Sequence, residues 1–126
     1  MHTPYALPKS ERLSSLTAVR RLFTDGASGF VYPFRYMVIT EKSTSPNVEV
    51  LFSVPKRFHK RANKRNTLRR RSKEAYRLNK ATLTATAMEK GLGVDIGLVY
   101  STKEVLPYKT IEYAICKILT EVGSRC

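Results

Sequence analysis

The stretch KRFHKRANKRNTLRRRSKEAYRLNK, residues 56–80, governs the reading of the whole chain. It holds twelve Lys and Arg against one acid, Glu74, and so carries +11 of the formal +13 charge at pH 7. The rest of the chain is close to neutral. One concentrated cationic element on an otherwise ordinary sequence is the footprint of a polyanion binder. Blocks of like charge are commonly disordered, but from Thr67 onward helix formers dominate, with no Gly or Pro before Gly91. At about 100° per residue, Leu68, Ser72, Ala75, Tyr76 and Asn79 share one side, which Leu83 continues. Asn66, Arg69, Arg70, Lys73, Arg77 and Lys80 fill an arc roughly 100° wide elsewhere. The spacing predicts a long helix with a docking side and a ridge of cations ~5–6 Å apart, suited to phosphates along a groove. A merely solvated helix mixes both signs of charge, and this one scarcely does.

At 126 residues and 42% hydrophobic content, residues 1–126 read as a single domain large enough for a real core. No apolar run approaches the ~20 residues of a membrane span. The start, MHTPYALPKSERL, lacks the apolar segment of a secretory signal. Residues 1–10, with Pro4 and Pro8, read as an extended arm. The two cysteines, Cys116 on an expected buried helix face and Cys126 at the last position, suggest no disulfide framework. A reduced, cytoplasmic setting is the consistent expectation.

Outward from the basic stretch, the pattern alternates helix and strand. Ser14 or Ser15 is a plausible N-cap for a short helix in SLTAVRRLFTDG. Leu16, Val19 and Phe23 form its apolar stripe, expected to face the sheet, with Leu22 beside them and Gly26 closing the helix at C′. FVYPFRYMVIT is strand-like, and Pro33 divides it in two or marks an edge. Phe34, Tyr36 and Val38 alternate with Arg35, Met37 and Ile39. The segment at 41–47 reads as a polar hairpin loop. VEVLFSV is a clean strand, ended by Pro55. Gly91 and Gly93 make a turn after the long helix, and Val94, Ile96, Leu98 and Tyr100 form one face of another strand. Pro107 suits the start of a last helix, with Ile111, Ile115, Ile118, Leu119 and Val122 on its stripe and Gly123 at its end. The order α-β-β-(β)-α-β-α predicts an α+β sandwich, a central sheet of about four strands with helices packed on it.

Catalytic chemistry of the chain's own is not visible. The acids are scattered, and Glu74 sits among bases as an ion-pair partner. His2 and His59 have no second ligand at metal spacing, and His59 reads as a phosphate neighbour. Ser53 has no base partner, and the GLG at Gly91 lacks the Lys-Ser/Thr of a phosphate loop. No catalytic and no metal residue is expected.

The run after the Ser53-Val54 strand end resembles the signature of the protein subunit of bacterial ribonuclease P. A basic loop is followed by Arg65-Asn66-Thr67, Leu68, Arg69-Arg70, Arg71-Ser72, Lys73-Glu74 and Ala75-Tyr76-Arg77. The resemblance extends over nearly the whole chain, through Arg12-Leu13, Phe23, Gly26 and the apolar strand containing Asp95. Thr67 stands where the family usually has a second Arg, and Ser72 where it has an apolar residue, which implies slightly weaker helix docking.

The resemblance implies a left-handed crossover into the sheet, against the usual rule. It also implies a function: binding a large catalytic RNA that, with its Mg²⁺ ions, hydrolyses the phosphodiester joining the 5′ leader to precursor tRNA. Contacts to the RNA subunit are then expected from Lys60, Arg61, Lys64, Arg65, Asn66, Arg69, Arg70, Lys73 and Arg77. A cleft between the first helix and the sheet is expected to hold the single-stranded leader. Phe23 matches a family leader contact. Single strands need stacking surfaces and backbone cations, which adds Phe34, Tyr36, Ser53, Lys56 and Arg57 as candidates. Mg²⁺ is expected mainly on the RNA, and no obligatory protein partner is implied. Charge and fold class also allow a structural RNA-binding protein such as a ribosomal protein. A major-groove DNA binder is disfavoured, because neither a helix-turn-helix partner nor zipper heptads flank the basic helix.

Overall fold

Four apolar-alternating segments pair into one sheet in the computed structural model, which describes residues 9–13 and 15–126. The strands are β1 (Ala27–Val31), β2 (Phe34–Lys42), β3 (Asn47–Ser53) and β4 (Leu92–Tyr100), in the spatial order β1-β2-β4-β3. Helix α1 (Leu16–Asp25) precedes β1, α2 (Ala62–Asn79) and α3 (Ala81–Lys90) join β3 to β4, and α4 (Tyr108–Arg125) follows. The expected α+β architecture is present, with the optional strand realised. Of the arm expected at residues 1–10, the first eight lie outside the described residues, as does Ser14. Lys9–Glu11 form a 3-10 turn.

Pro33 follows a cis peptide bond and occupies the turn between the antiparallel strands β1 and β2, so it divides two strands as its chemistry requires. The polar segment at 41–47 does not close a hairpin. β4 lies between β2 and β3, antiparallel to the first and parallel to the second. From Ile96 to Tyr100 every residue of β4 is buried. A strand apolar on both faces belongs at the centre of a covered sheet, and it displaces the local pairing.

The two faces of the sheet are covered unequally. On the inner face, Val38, Val50, Ile96 and Leu98 pack against Leu68 and Tyr76 of α2, Leu83 of α3, and Ile111, Ile115 and Ile118 of α4. Phe34 and Tyr36 belong to this core, which corrects their expected role as stacking surfaces. They are 1% and 0% exposed, with the Phe34 ring edge-on to Tyr100 at 5.6 Å and the Tyr36 hydroxyl donating to Glu121 at 2.7 Å. Strand alternation explains the assignment: the face turned toward α1 carries Arg35, Met37 and Ile39 instead. On that outer face α1 packs through a small cluster of Leu13, Leu22, Met37 and Val99.

Two helix boundaries differ from expectation, at Lys80 and at Gly123. The basic helix starts at Ala62, and Arg61 occupies its N-cap without a side-chain hydrogen bond. The single long helix is interrupted at Lys80, whose side chain turns into the protein to pair with Glu11. Gly26 ends α1 with an extended backbone (φ −69°) rather than a left-handed one. It must be glycine for a different reason: a Cβ there would lie 2.4 Å from the Leu22 carbonyl oxygen. Gly91 is the left-handed cap (φ 65°) that closes α3, and Gly93 is already in β4. Gly123 does not end α4, which runs on to Arg125.

Edge strand β1 depends on another glycine. Gly29 pairs in register with Tyr36, and a Cβ at 29 would stand 2.4 Å from the Tyr36 ring. Gly29→Ala is therefore expected to destabilise the protein by about 1–3 kcal/mol through overpacking. The check is a urea unfolding midpoint that falls while the slope stays unchanged.

Candidate nucleic-acid interface

The cationic ridge is held outward by a buried docking side on the opposite face of α2. Leu68, Ala75 and Tyr76 are fully buried beneath α2, and Ser72 is 2% exposed with its hydroxyl donating to the Leu68 carbonyl at 2.8 Å. The Ser at this position is therefore accommodated without an orphaned hydroxyl. Thr67 likewise donates to the Asn63 carbonyl at 3.0 Å.

With that side fixed, Asn66, Arg69, Arg70, Lys73 and Arg77 line a groove of about 540 Å³ whose far wall is Arg12. Its single carboxylate, Glu74, is taken by Arg77 at 2.5 Å, which pulls the Glu74 pKa below the usual carboxylate value. Arg69 donates to the Asn66 side-chain oxygen at 3.2 Å, so the amide orients a guanidinium rather than starting the helix. Among the described residues, Arg69, Arg70 and Lys73 have no carboxylate partner. Lys60, Arg61 and Lys64 are exposed around the amino end of α2, which has no acid in its first turn. Cations at an uncapped helix start oppose the helix dipole, and an anion placed there would relieve both charge and orphaned N–H groups.

Lys80, Arg65 and His59 of the basic stretch are not on this surface. Lys80 is buried against Glu11. Arg65 is half-buried and donates to the carbonyls of His59 and Lys60 at 3.0 and 2.7 Å, so it fastens the loop that leads into α2. His59 is 4% exposed, bonds the Thr102 carbonyl at 2.8 Å and packs on Tyr100. It is a buried staple, which corrects its reading as a phosphate neighbour.

The outer face of the sheet carries α1. Leu22 sits over Gly97, where a Cβ would come within 3.0 Å of its methyl group. Leu22 faces the sheet, with Ala18 and Val19 packed against the same cluster, whereas the rest of the expected stripe, Leu16 and Phe23, is 64% and 51% exposed. That stripe forms one flank of α1. On its side of the sheet, register aligns Phe30, Arg35, Val99 and Ser53 in one row across all four strands. Lys56 and Arg57 follow the end of β3 and are exposed, with Arg57 over the Phe58 ring at 4.9 Å. The exposed side chains Phe30 and Arg35 escaped the sequence reading. The register between β1 and β2, which Pro33 predicted only as a break, is what reveals them.

The opposite flank of α1 is acidic. Arg21 pairs with Glu41 at 2.7 Å there, above the cross-strand neighbours Glu49 and Asp95. Burial raises the pKa of both neighbours, and for Glu49 the Asp95 charge adds to it. The helix thus separates a flank with cations and exposed rings from one that repels phosphate.

A sequence model of the family Ribonuclease P matches residues 7–122. The chain belongs to the ribonuclease P protein family. Ribonuclease P protein components from two strains of Porphyromonas gingivalis are 32% and 33% identical, over 94% of this chain and 88% of each relative. One from Chlorobaculum tepidum is 39% identical over 70% of this chain and 60% of its own length. The fold agrees. The ribonuclease P protein of Staphylococcus aureus superposes with a TM-score of 0.71 at 17% identity, covering 90% of this chain and 96% of that one. That of Thermotoga maritima gives 0.69 at 22% identity, covering 88% and 96%. Membership in the ribonuclease P protein family makes this chain the protein component of a tRNA-processing endoribonuclease, and it implies a ribonuclease P RNA as partner.

The acid pair generates a pH prediction. Because Asp95 has a raised folded-state pKa, its contribution to stability is fully present at pH below the unfolded value. It is lost as pH rises through the higher folded value. Asp95→Asn should therefore raise the urea midpoint at neutral pH. The gain over the parent should shrink to nothing as pH falls below the ordinary carboxylate range.

Proposed function

We propose that this chain binds the ribonuclease P RNA along the α2 groove and its amino end, and the 5′ leader of precursor tRNA in the α1–sheet cleft. The observation that carries the reading is the segregation of charge: Arg12, Arg69, Arg70 and Lys73 share one groove whose only acid is already paired. Phosphates of a folded RNA suit such a groove, since each neutralised phosphate releases counterions. Lys60, Arg61 and Lys64 extend the contact around the helix start, with Asn66 and Arg77 shaping the groove between them. Arg65 contributes by fixing the loop.

The leader is a single strand, and its requirements match the other site. Phe23 offers an exposed ring, Ser53 a hydroxyl, and Lys56 and Arg57 the backbone charge. In this reading the RNA subunit carries the catalysis and the Mg²⁺. Among the described residues, no three His, Cys, Asp or Glu side chains come together as a metal-binding group.

Two experiments test the assignment. Arg69→Ala or Arg70→Ala should each lower the slope of log affinity for the RNA subunit against log salt by about 0.7–0.9, one phosphate contact. Lys80→Met should leave that slope alone and reduce stability, because it strands Glu11. In the assembled enzyme, Phe23→Ala should weaken binding of precursor tRNA roughly 5- to 100-fold, the weight of one stacked base, and leave mature tRNA unaffected. An unchanged salt slope, or equal losses for both tRNAs, would return these residues to the solvated surface.

A further inference from the structure

The leader cleft as drawn uses one helix flank and the β3 end of the sheet. The same row of the sheet continues beyond it, across β2 to the free edge of β1. Phe30 stands on that edge, directly opposite Arg35 in the antiparallel register. It is 59% exposed, although it is one of the largest apolar side chains in the molecule. Its inward neighbours account for the core: Gly29 leaves room for the Tyr36 ring, and Val31 packs on the inner cluster. Phe30 has no such duty, and burial does not explain it. Arg35 beside it is exposed and has no carboxylate partner among the described residues.

We infer that Phe30 and Arg35 form the far end of the leader track, a stacking platform with its own phosphate contact on the sheet edge. This rests on the leader reading above. An exposed ring next to an unpaired guanidinium is the repeating unit of single-strand binding, with the ring taking any base and the cation its phosphate. From Ser53 on β3 to Phe30 on β1 is three strand spacings, roughly 14 Å. The track therefore crosses the whole sheet. A short leader engages Phe23 and the β3 end, and only a longer one reaches Phe30.

The test is a series of precursor tRNAs with leaders of graded length, bound to the enzyme reconstituted from the RNA subunit and each protein variant. With the parent protein, affinity should climb with leader length and then level off. Phe30→Ala should level off at a shorter leader and bind the longest precursors roughly 5- to 100-fold more weakly. Phe30→Tyr, which keeps a ring, should restore the parent curve. Arg35→Gln should lower affinity for the same long precursors and flatten its salt dependence. A thermal melt of each variant confirms that it folds, as an exposed position allows. If Phe23→Ala shows its leader-dependent loss while Phe30→Ala matches the parent at every length, the edge extension is wrong and the cleft stands. If Phe23→Ala shows no leader dependence, the cleft reading itself fails. A Phe30→Ala loss that is equal for all lengths, mature tRNA included, places Phe30 in assembly with the RNA subunit and overturns the proposal.

Discussion

Leu22 resting on the bare backbone of Gly97 is the contact on which the functional surface depends. A helix on the outer face of this sheet has little to hold it, because the apolar cluster beneath it is small. The missing Cβ at 97 lets Leu22 descend until it is completely buried. That one close approach sets the height of α1 above the strands and its position across them. It also decides which flank each helical residue occupies. Arg21 goes to the side of Glu41, and Phe23 stands exposed on the other flank. A bulkier residue at 97 would lift the helix and blur the distinction.

The inner face follows a different logic. There the helices α2, α3 and α4 bury aromatic and branched side chains against the sheet, and that burial supplies most of the cohesion. The large core lets the protein tolerate a helix that is almost wholly cationic on its exposed side. Several polar groups at the boundary bond to backbone carbonyls: His59 to Thr102, Arg71 to Leu106, Tyr100 to Glu104. These bonds fasten the loops on either side of α2, so the ridge is presented by a rigid frame.

Much of this was legible in the residues. The 3.6-residue period of Leu68, Ser72, Ala75 and Tyr76 located the docking side of α2, and the two-residue period of Val94 to Tyr100 located the central strand. The family resemblance rested on the ordered run from Arg65 to Arg77, and the family match is secure. Local pattern failed where a distant partner decided the outcome. Nothing near Lys80 announces that Glu11, far back in the chain, will draw it inward and interrupt the helix. Nothing near residue 43 shows that β4 will displace the hairpin. Phe34 and Tyr36 were misassigned because an aromatic on a strand states its period but not which face the core will claim. Phe30 and Arg35 became visible only through register, a property of two strands together.

The parallel pairing of β3 with β4 has a consequence for how the chain reaches this state. Pairing the two strands closes a long connection that contains α2 and α3. Folding therefore draws the cationic helix into a compact molecule. Mutual repulsion along the ridge acts against the chain during that search, and non-local pairing of this kind is slow in any case. A polyanion changes the balance, because a partner that binds only the folded form shifts the equilibrium toward it by mass action. An RNA bound along the ridge, as proposed, would also relieve its repulsion. Assembly of the ribonucleoprotein and completion of the protein's own fold are, on these terms, thermodynamically coupled.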